Sequence, residues 1–214
     1  MGPITLTLVI VLGALLLMVL KKLFERPPAP AAPAAPPQPD LASLTIADAR
    51  AGDNISISGA GADYSDVNFT VDHRNRYEAG ERQWFDVTGH AGERHVSVEV
   101  RSTDDDDLDV RGFLDGKKLT IDDLGLSEDD LAQIDERQNT ADNFSFQDKN
   151  WYYLLSKEVG IFHDGQSQGA GFYGWEFIEE TGLRYISIRK REGEPFTASM
   201  AVKLNPADIT VLRG

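Results

Sequence analysis

The sequence contains no cysteine and comparatively few basic residues. The absence of cysteine excludes disulfide bonds, thiolate metal sites and cysteine nucleophiles together. Lys and Arg number 21 against 35 Asp and Glu, which gives a formal net charge of −14. Because binding to a phosphate backbone requires clustered Lys and Arg, this balance argues against a nucleic-acid partner. The same acidity permits a cationic partner, such as a polyamine, a divalent metal or a basic protein surface.

Histidine is scarce as well, and its placement argues against a serine hydrolase. Residues 165–169 read Gly-Gln-Ser-Gln-Gly, which matches the G-x-S-x-G nucleophile elbow around Ser167. In α/β-hydrolases the catalytic histidine follows the serine in the chain, but the last of the four histidines here is His163. We therefore interpret this segment as a turn between two strands, and we predict no catalytic residue in it.

Motifs for metals and cofactors are also missing. Residues 103–109 contain five aspartates, but EF-hand spacing counted from Asp105 would place Val110 where glycine is required. We interpret this acidic run as a solvated loop. His90 and His95 flank a predicted turn, and a metal-binding pair is the alternative to two unrelated histidines. We predict no cofactor and no resident metal.

Only one long apolar run is present, Ile4–Leu20, and it carries no charge. As a helix it would be about 25 Å long. We predict that residues 1–24 form a transmembrane anchor, with Lys21, Lys22 and Arg26 at the membrane interface. A cleaved signal peptide is the alternative, but the run lacks a preceding basic region and a small-residue cleavage site. By the positive-inside rule, we expect a single-pass protein of the plasma or inner membrane, its N-terminus outside and its C-terminal domain cytoplasmic.

A proline-rich segment separates this run from the rest of the chain. Residues 27–40 contain seven prolines. Such a composition favours polyproline II structure at about 3.1 Å per residue, so the segment would extend about 40 Å. We predict that residues 25–40 are a semi-rigid linker.

The remaining part, residues 41–214, has mostly the alternating pattern of β-strands. Apolar and polar residues alternate at residues 54–58, 67–71, 95–100, 144–146, 185–190 and 198–204. Glycines and Asp-Gly pairs punctuate these runs. One helix is predicted at residues 126–137, where Ser127 and Asp130 have the spacing of a capping box. The predicted fold is therefore mainly β, with antiparallel sheets or an open barrel and one short helix.

Two parts of this domain share a motif. Trp84 and Trp175 are each followed by Gly-x-Arg-x-φ-Ser-φ, where φ is an apolar residue, beginning at Gly92 and Gly182 respectively. This repetition predicts two related β modules, at residues 44–112 and 144–214. The alternative is a chance likeness between two hairpins, because hairpins use few turn types.

A ligand-binding face is predicted from aromatic and acidic residues. Tyr152 on a predicted strand and Tyr173 at a predicted loop edge are expected to be exposed beside acidic residues, and Asp104, Asp105 and Asp107 belong to the acidic run. Exposed aromatic rings beside carboxylates can bind a cation through π interactions. The alternative is that the tyrosines belong to the hydrophobic core.

Several of these segments resemble a bacterial family known as domain of unknown function 4178. The residues that carry the resemblance are 49–59, 69–84, 95–100, 150–162 and 173–194. They include a Gly-Asp pair before a strand, an Arg-Tyr pair before Gly and Trp, and a later strand containing Trp. The resemblance implies a membrane-associated or cytoplasmic β domain with no assigned catalytic residues.

Together these features predict a non-enzymatic, membrane-tethered scaffold or sensor that binds protein partners. An anchor and a stiff linker would raise the effective concentration of the domain near a membrane assembly. The alternative is a receptor for a cationic small ligand, a polyamine or a divalent metal, on the acidic and aromatic face. An enzyme with an unrecognised site is a third hypothesis.

Overall fold

The computed structural model describes residues 44–103, 107–166 and 169–214. The predicted anchor and linker lie outside the described residues. Within the described ranges, every helix is too short or too polar to span a lipid bilayer.

The described ranges contain eleven strands and one α-helix. The strands are β1 (Asn54–Ile57), β2 (Val67–Ala79), β3 (Arg82–Ala91), β4 (Arg94–Ser102), β5 (Leu108–Phe113), β6 (Asn143–Phe146), β7 (Lys149–His163), β8 (Ala170–Glu179), β9 (Arg184–Lys190), β10 (Thr197–Leu204) and β11 (Ile209–Leu212). The helix α1 is Glu128–Arg137. Its N-cap Ser127 accepts a hydrogen bond from the backbone N–H of Asp130, so the predicted capping box is present.

Eight of the strands form a closed antiparallel barrel, in the order β2-β3-β4-β5-β10-β9-β8-β7. Pairing of residues 75–78 of β2 with residues 160–163 of β7 closes the ring. Strands β1 and β11 extend the sheet beyond β2, and β6 extends it beyond β7. The prediction of a mainly β, antiparallel fold with one helix is confirmed, whereas the open form of the predicted barrel is wrong because β2 and β7 pair directly.

The strand order repeats along the chain. Strands β1–β5 and β6–β10 each pair with their sequence neighbours, and the two sets meet at β5–β10 and at β2–β7. The shared motif occupies matching positions on β4 and β9, with Val96 and Ile186 buried on the outer face of the barrel. The two tryptophans do not match, because Trp84 lies eight residues before Gly92 and Trp175 only seven before Gly182. Since side chains alternate between faces, this offset of one residue puts Trp84 inside the barrel and Trp175 outside it.

Apolar side chains are buried on the outside of the barrel wall, in two clusters. The first includes Val87, Val98 and Val110, and β1 and β11 cover it with residues such as Ile55. The second includes Phe177, Ile186 and Ile188 on β8 and β9, and α1 covers it with Leu131 and Ile134. The covering elements thus take the place of solvent on much of the outer face.

Charged side chains fill much of the inside. Glu176 on β8 contacts Arg101 on β4 and Arg111 on β5. These strands are four and three steps apart along the sheet, so the contacts cross the barrel interior. The candidate site therefore lies inside the barrel, and the outer face of the barrel wall around it is apolar.

Candidate functional site

An ion network occupies the middle of the barrel. Glu176 Oε2 accepts hydrogen bonds from Nη1 of Arg101 and Nη1 of Arg111, each at 2.9 Å, and its other oxygen accepts from Arg101 Nη2. Arg101 also binds Glu99, and Arg111 also binds Asp109. Burial alone would raise the pKa of Glu176, but the charges of the two arginines and their hydrogen bonds outweigh burial and lower the pKa to about 2. Its three carboxylates and two guanidinium groups leave the network with one negative charge in excess.

A second buried carboxylate, Asp86, lies beside this network. Its two oxygens accept hydrogen bonds from Asn75 Nδ2 and from the hydroxyl of Tyr77, each at 2.8 Å. Burial raises the pKa of Asp86, against these hydrogen bonds. The Tyr77 ring stacks on Trp84 at 5.5 Å between ring centroids, which fixes the tyrosine within the barrel.

One mouth of the barrel opens into a cavity of about 440 Å³, which we call the Lys118 cavity. Its lining is drawn from several strands and from the loop after β5. The side chains that bear on its chemistry are Asp86, His95, Lys118, His163, Arg189 and Ser199. The cavity is thus shaped by groups that are far apart in the sequence and converge only through barrel closure.

Among the described residues, the cations Lys118 and Arg189 of this cavity have no carboxylate in direct contact. Lys118 Nζ donates a hydrogen bond to Ser199 Oγ at 3.1 Å, and the Arg189 guanidinium lies over the Phe172 ring, 4.8 Å from its centroid. Within the described ranges, neither Lys118 nor Arg189 has a carboxylate oxygen within 4.0 Å. Burial of the ammonium group, with repulsion from Arg189, lowers the pKa of Lys118.

Two histidines also line this cavity. Because Asn75 Nδ2 donates to Asp86, Asn75 Oδ1 is the acceptor that faces His163 Nδ1 at 2.8 Å. His163 Nδ1 therefore carries a proton, and its Nε2 is left for other partners. For His95, burial and repulsion from His90 and Lys118 lower the pKa.

The opposite mouth opens into a cavity of about 470 Å³ around Lys157. The Lys157 ammonium lies 4.8 Å from the centroid of the Trp84 ring, and burial lowers the pKa of this lysine. This cavity is lined by Arg101 and Arg111, whose charges Glu176 and Asp109 already balance. Its chemistry is therefore largely that of the central ion network.

The predicted ligand face does not form one surface. Tyr152 pairs with Ile178, and Tyr173 lies five positions away from Ile178 on the same strand. An odd separation along a strand places the two tyrosines on opposite faces of the sheet. The Tyr173 hydroxyl donates to Asp135 at 2.7 Å, so this ring helps to dock α1.

Of the three aspartates predicted for the ligand face, Asp107 lies within the described residues. Asp104 and Asp105 lie outside the described residues. Asp107 is exposed in the connection between β4 and β5, where its carbonyl oxygen accepts from the backbone N–H of Thr103 at 2.8 Å. The interface residues Lys21, Lys22 and Arg26 also lie outside the described residues.

The Gly-Gln-Ser-Gln-Gly segment lies between two strands, as predicted. Strand β7 ends at His163 and strand β8 begins at Ala170. The segment is therefore followed by a strand, whereas the nucleophile elbow of an α/β-hydrolase is followed by a helix. Ser167 itself lies outside the described residues.

His90 and His95 have their ring centroids 5.4 Å apart, and His90 Nδ1 pairs with Asp72 at 3.0 Å. Across the described ranges there is no group of three or more His, Asp or Glu side chains placed to hold a metal ion.

No family model, curated protein or solved structure matches this chain. The resemblance to domain of unknown function 4178 therefore stays a prediction. The geometry of the barrel interior is the basis for the function proposed below.

Sequence reasoning missed the Lys118 cavity entirely. Lys118 follows an Asp-Gly turn and reads as a solvated loop residue, and Arg189 reads as the polar position of an alternating strand. The available signal was the arrangement Glu99, Arg101, Asp109, Arg111, in which opposite charges alternate with apolar residues on two neighbouring strands. Such a pattern is also typical of a sheet with one face in solvent. Only closure of the barrel shows that these charged residues face an enclosed interior.

Proposed function

We propose that residues 41–214 form a non-enzymatic receptor or sensor domain that binds a small molecule in the Lys118 cavity. The observation that carries this proposal is a mouth of about 440 Å³ into which side chains from both halves of the barrel converge. Ligand sites in proteins are commonly concave, of about 300–1,000 Å³, with a few placed polar groups. The shape and lining of this cavity support binding, and its residues do not include a serine, base and orienting acid in hydrogen-bonded sequence.

The walls of this cavity are suited to binding with little rearrangement. Tyr77 is held by Asp86 and by stacking on Trp84, and Asn75 is held by Asp86 and His163. Side chains fixed in this way lose little conformational freedom when a ligand binds. A rigid barrel therefore supports recognition by a preformed site.

A cavity-filling substitution tests this proposal. The full-length protein in detergent would be screened by thermal shift against a small-molecule library of anionic, neutral and cationic compounds. Ser199→Tyr fills the Lys118 cavity, whereas Thr210→Tyr places the same ring at an exposed position on β11. We expect at least one compound to stabilise the wild type and the Thr210 variant but not the Ser199 variant. If every stabilising compound acts equally on all three proteins, the cavity is not the binding site and the proposal is wrong.

The location of this receptor domain is a separate proposal, which the apolar run Ile4–Leu20 and the basic residues after it support. In this proposal the anchor and linker hold the domain on the cytoplasmic side of a membrane, where a ligand-dependent contact with a protein partner would transmit the signal. Protease added to intact cells should leave the C-terminal domain uncut, and permeabilised cells serve as the control. Digestion of the domain in intact cells would contradict the proposed orientation.

A further inference from the structure

We propose that the ligand of the Lys118 cavity is a small oxyanion, a carboxylate or phosphate compound, bound jointly by Arg189 and Lys118. This inference rests on the proposed function, because it names the chemical class of ligand for the same cavity. It differs from the cationic ligand that the overall acidity suggested.

The first argument is the contrast among the three arginines of the barrel interior. Arg101 contacts Glu99 and Glu176, and Arg111 contacts Asp109 and Glu176. Arg189 reaches the same interior, over the rings of Phe172 and Tyr77, but within the described ranges no carboxylate oxygen lies within 4.0 Å of it. A guanidinium away from bulk water is stabilised by an anion, and here the protein supplies none in contact.

The second argument concerns the carboxylates that line the cavity. The oxygens of Asp86 already accept hydrogen bonds from Asn75 and Tyr77. Asp115 Oδ1 accepts from the backbone N–H of Lys117 at 3.0 Å, within its own turn. The hydrogen bonds hold both carboxylates away from direct contact with the two cations, although the charges of Asp86 and Glu99 act on Arg189 and that of Asp115 acts on Lys118 at longer range. The cavity therefore presents Arg189 and Lys118 with their contact positions open to an oxyanion.

The third argument is the kind of donors present. A guanidinium offers paired N–H groups that match two oxygens of a carboxylate or phosphate, and an ammonium adds a point charge. Lys118 currently donates to Ser199 Oγ, a neutral acceptor that an anionic oxygen would outcompete. His95 and the Ser199 hydroxyl line the same space and can donate further hydrogen bonds to the remaining oxygens. A spermidine nitrogen would meet these cations with like charge, which disfavours a polyamine here.

Calorimetric titration of the full-length protein in detergent, at low ionic strength, tests the inference. The probes are inorganic phosphate, citrate and spermidine, and comparison of the first two separates phosphate from carboxylate recognition. We expect heat from one or both oxyanions and none from spermidine at this site. Because Ser199→Tyr fills the cavity, this variant should give no heat with either oxyanion. Lys118→Gln should weaken oxyanion binding at least 10-fold, and Arg189→Gln should abolish it.

Lys203→Gln is the matched control, because Lys203 is an exposed lysine of β10, lines neither mouth, and loses the same charge. If Arg189→Gln fails to fold, Lys118→Gln still tests the inference, since the Lys118 ammonium donates to the Ser199 hydroxyl and not to a buried carboxylate. Equal affinities for the Lys118 and Lys203 variants would overturn the inference. Binding of a neutral or cationic library compound that Ser199→Tyr blocks, with no oxyanion binding, would also overturn it but would leave the proposed function intact.

Discussion

The strongest prediction concerns Glu176, because this side chain joins the two halves of the barrel. Replacing it with glutamine keeps the shape of the side chain and removes its charge. The wild-type carboxylate binds Arg101 and Arg111, and all three groups are largely buried. Glutamine would leave two guanidinium groups facing a neutral amide inside the barrel.

The size of the effect follows from the partners that remain. Breaking a buried ion pair by removing one member typically costs about 3–5 kcal/mol. Arg101 retains Glu99 and Arg111 retains Asp109, so we expect the lower end of this range, about 3 kcal/mol. With a urea m-value of about 2 kcal/mol per M, the midpoint of unfolding should fall by about 1.5 M.

Urea unfolding monitored by tryptophan fluorescence measures this shift. Glu180→Gln is the matched control, because Glu180 is an exposed glutamate on the same chain segment and should change stability by less than about 0.5 kcal/mol. If Glu176→Gln unfolds at the wild-type urea concentration, the ion network contributes no net stability and the reasoning about the barrel interior is refuted.

Further predictions concern single side chains. Leu131→Ala removes a side chain of α1 that is 1% exposed and should cost about 3 kcal/mol in urea unfolding, and a loss below about 1 kcal/mol would contradict the docking of the helix. Ser127→Ala should cost about 1 kcal/mol in the same assay, because the N-terminal cap of α1 is lost, and Ser127→Asp should restore the stability. The hydrogen bond from Arg184 holds the pKa of Glu179 at about 2, so its contribution to stability should be present above pH 4.5 and lost as the pH falls towards 2. Glu179→Gln should flatten that acid dependence of the unfolding free energy. Burial and repulsion from His90 and Lys118 lower the pKa of His95, which Asp72 and His73 also face. A bound oxyanion should raise that pKa, so calorimetric affinity for the oxyanion should increase as the pH falls and His95 becomes protonated. His95→Gln should remove this pH dependence, and an unchanged pH dependence would exclude His95 as its source.

The positions of the strands could be predicted from the sequence because one face of each is apolar. The alternation in residues 95–100 predicted that Val96, Val98 and Val100 are buried together, and all three lie in the first outer cluster. The helix was predicted by its capping residues and its narrow apolar stripe, and it begins one residue after Ser127. These features depend on interactions between residues that are near each other in the chain.

Barrel closure could not be predicted in this way, because it depends on pairing between β2 and β7. Asn75 and His163 pair across the seam although 88 positions separate them. Alternation also cannot tell an enclosed polar face from a solvated one. Glu99 and Arg111 occupy the polar positions of such an alternation, as solvent-facing residues would, but they are 3% and 8% exposed. The candidate cavity was missed for the same reason.

The central ion network has a consequence for how this chain can fold. The first set of five strands supplies Arg101 and Arg111, each with a carboxylate partner of its own, and the second set supplies Glu176, which binds both arginines. The second set alone would hold Glu176 without the two arginines that bind it, and the first set alone would lack the glutamate that joins its two ion pairs, in spite of the repeated strand order. Neither set of five strands should therefore fold on its own, and the two sets should unfold in a single cooperative transition.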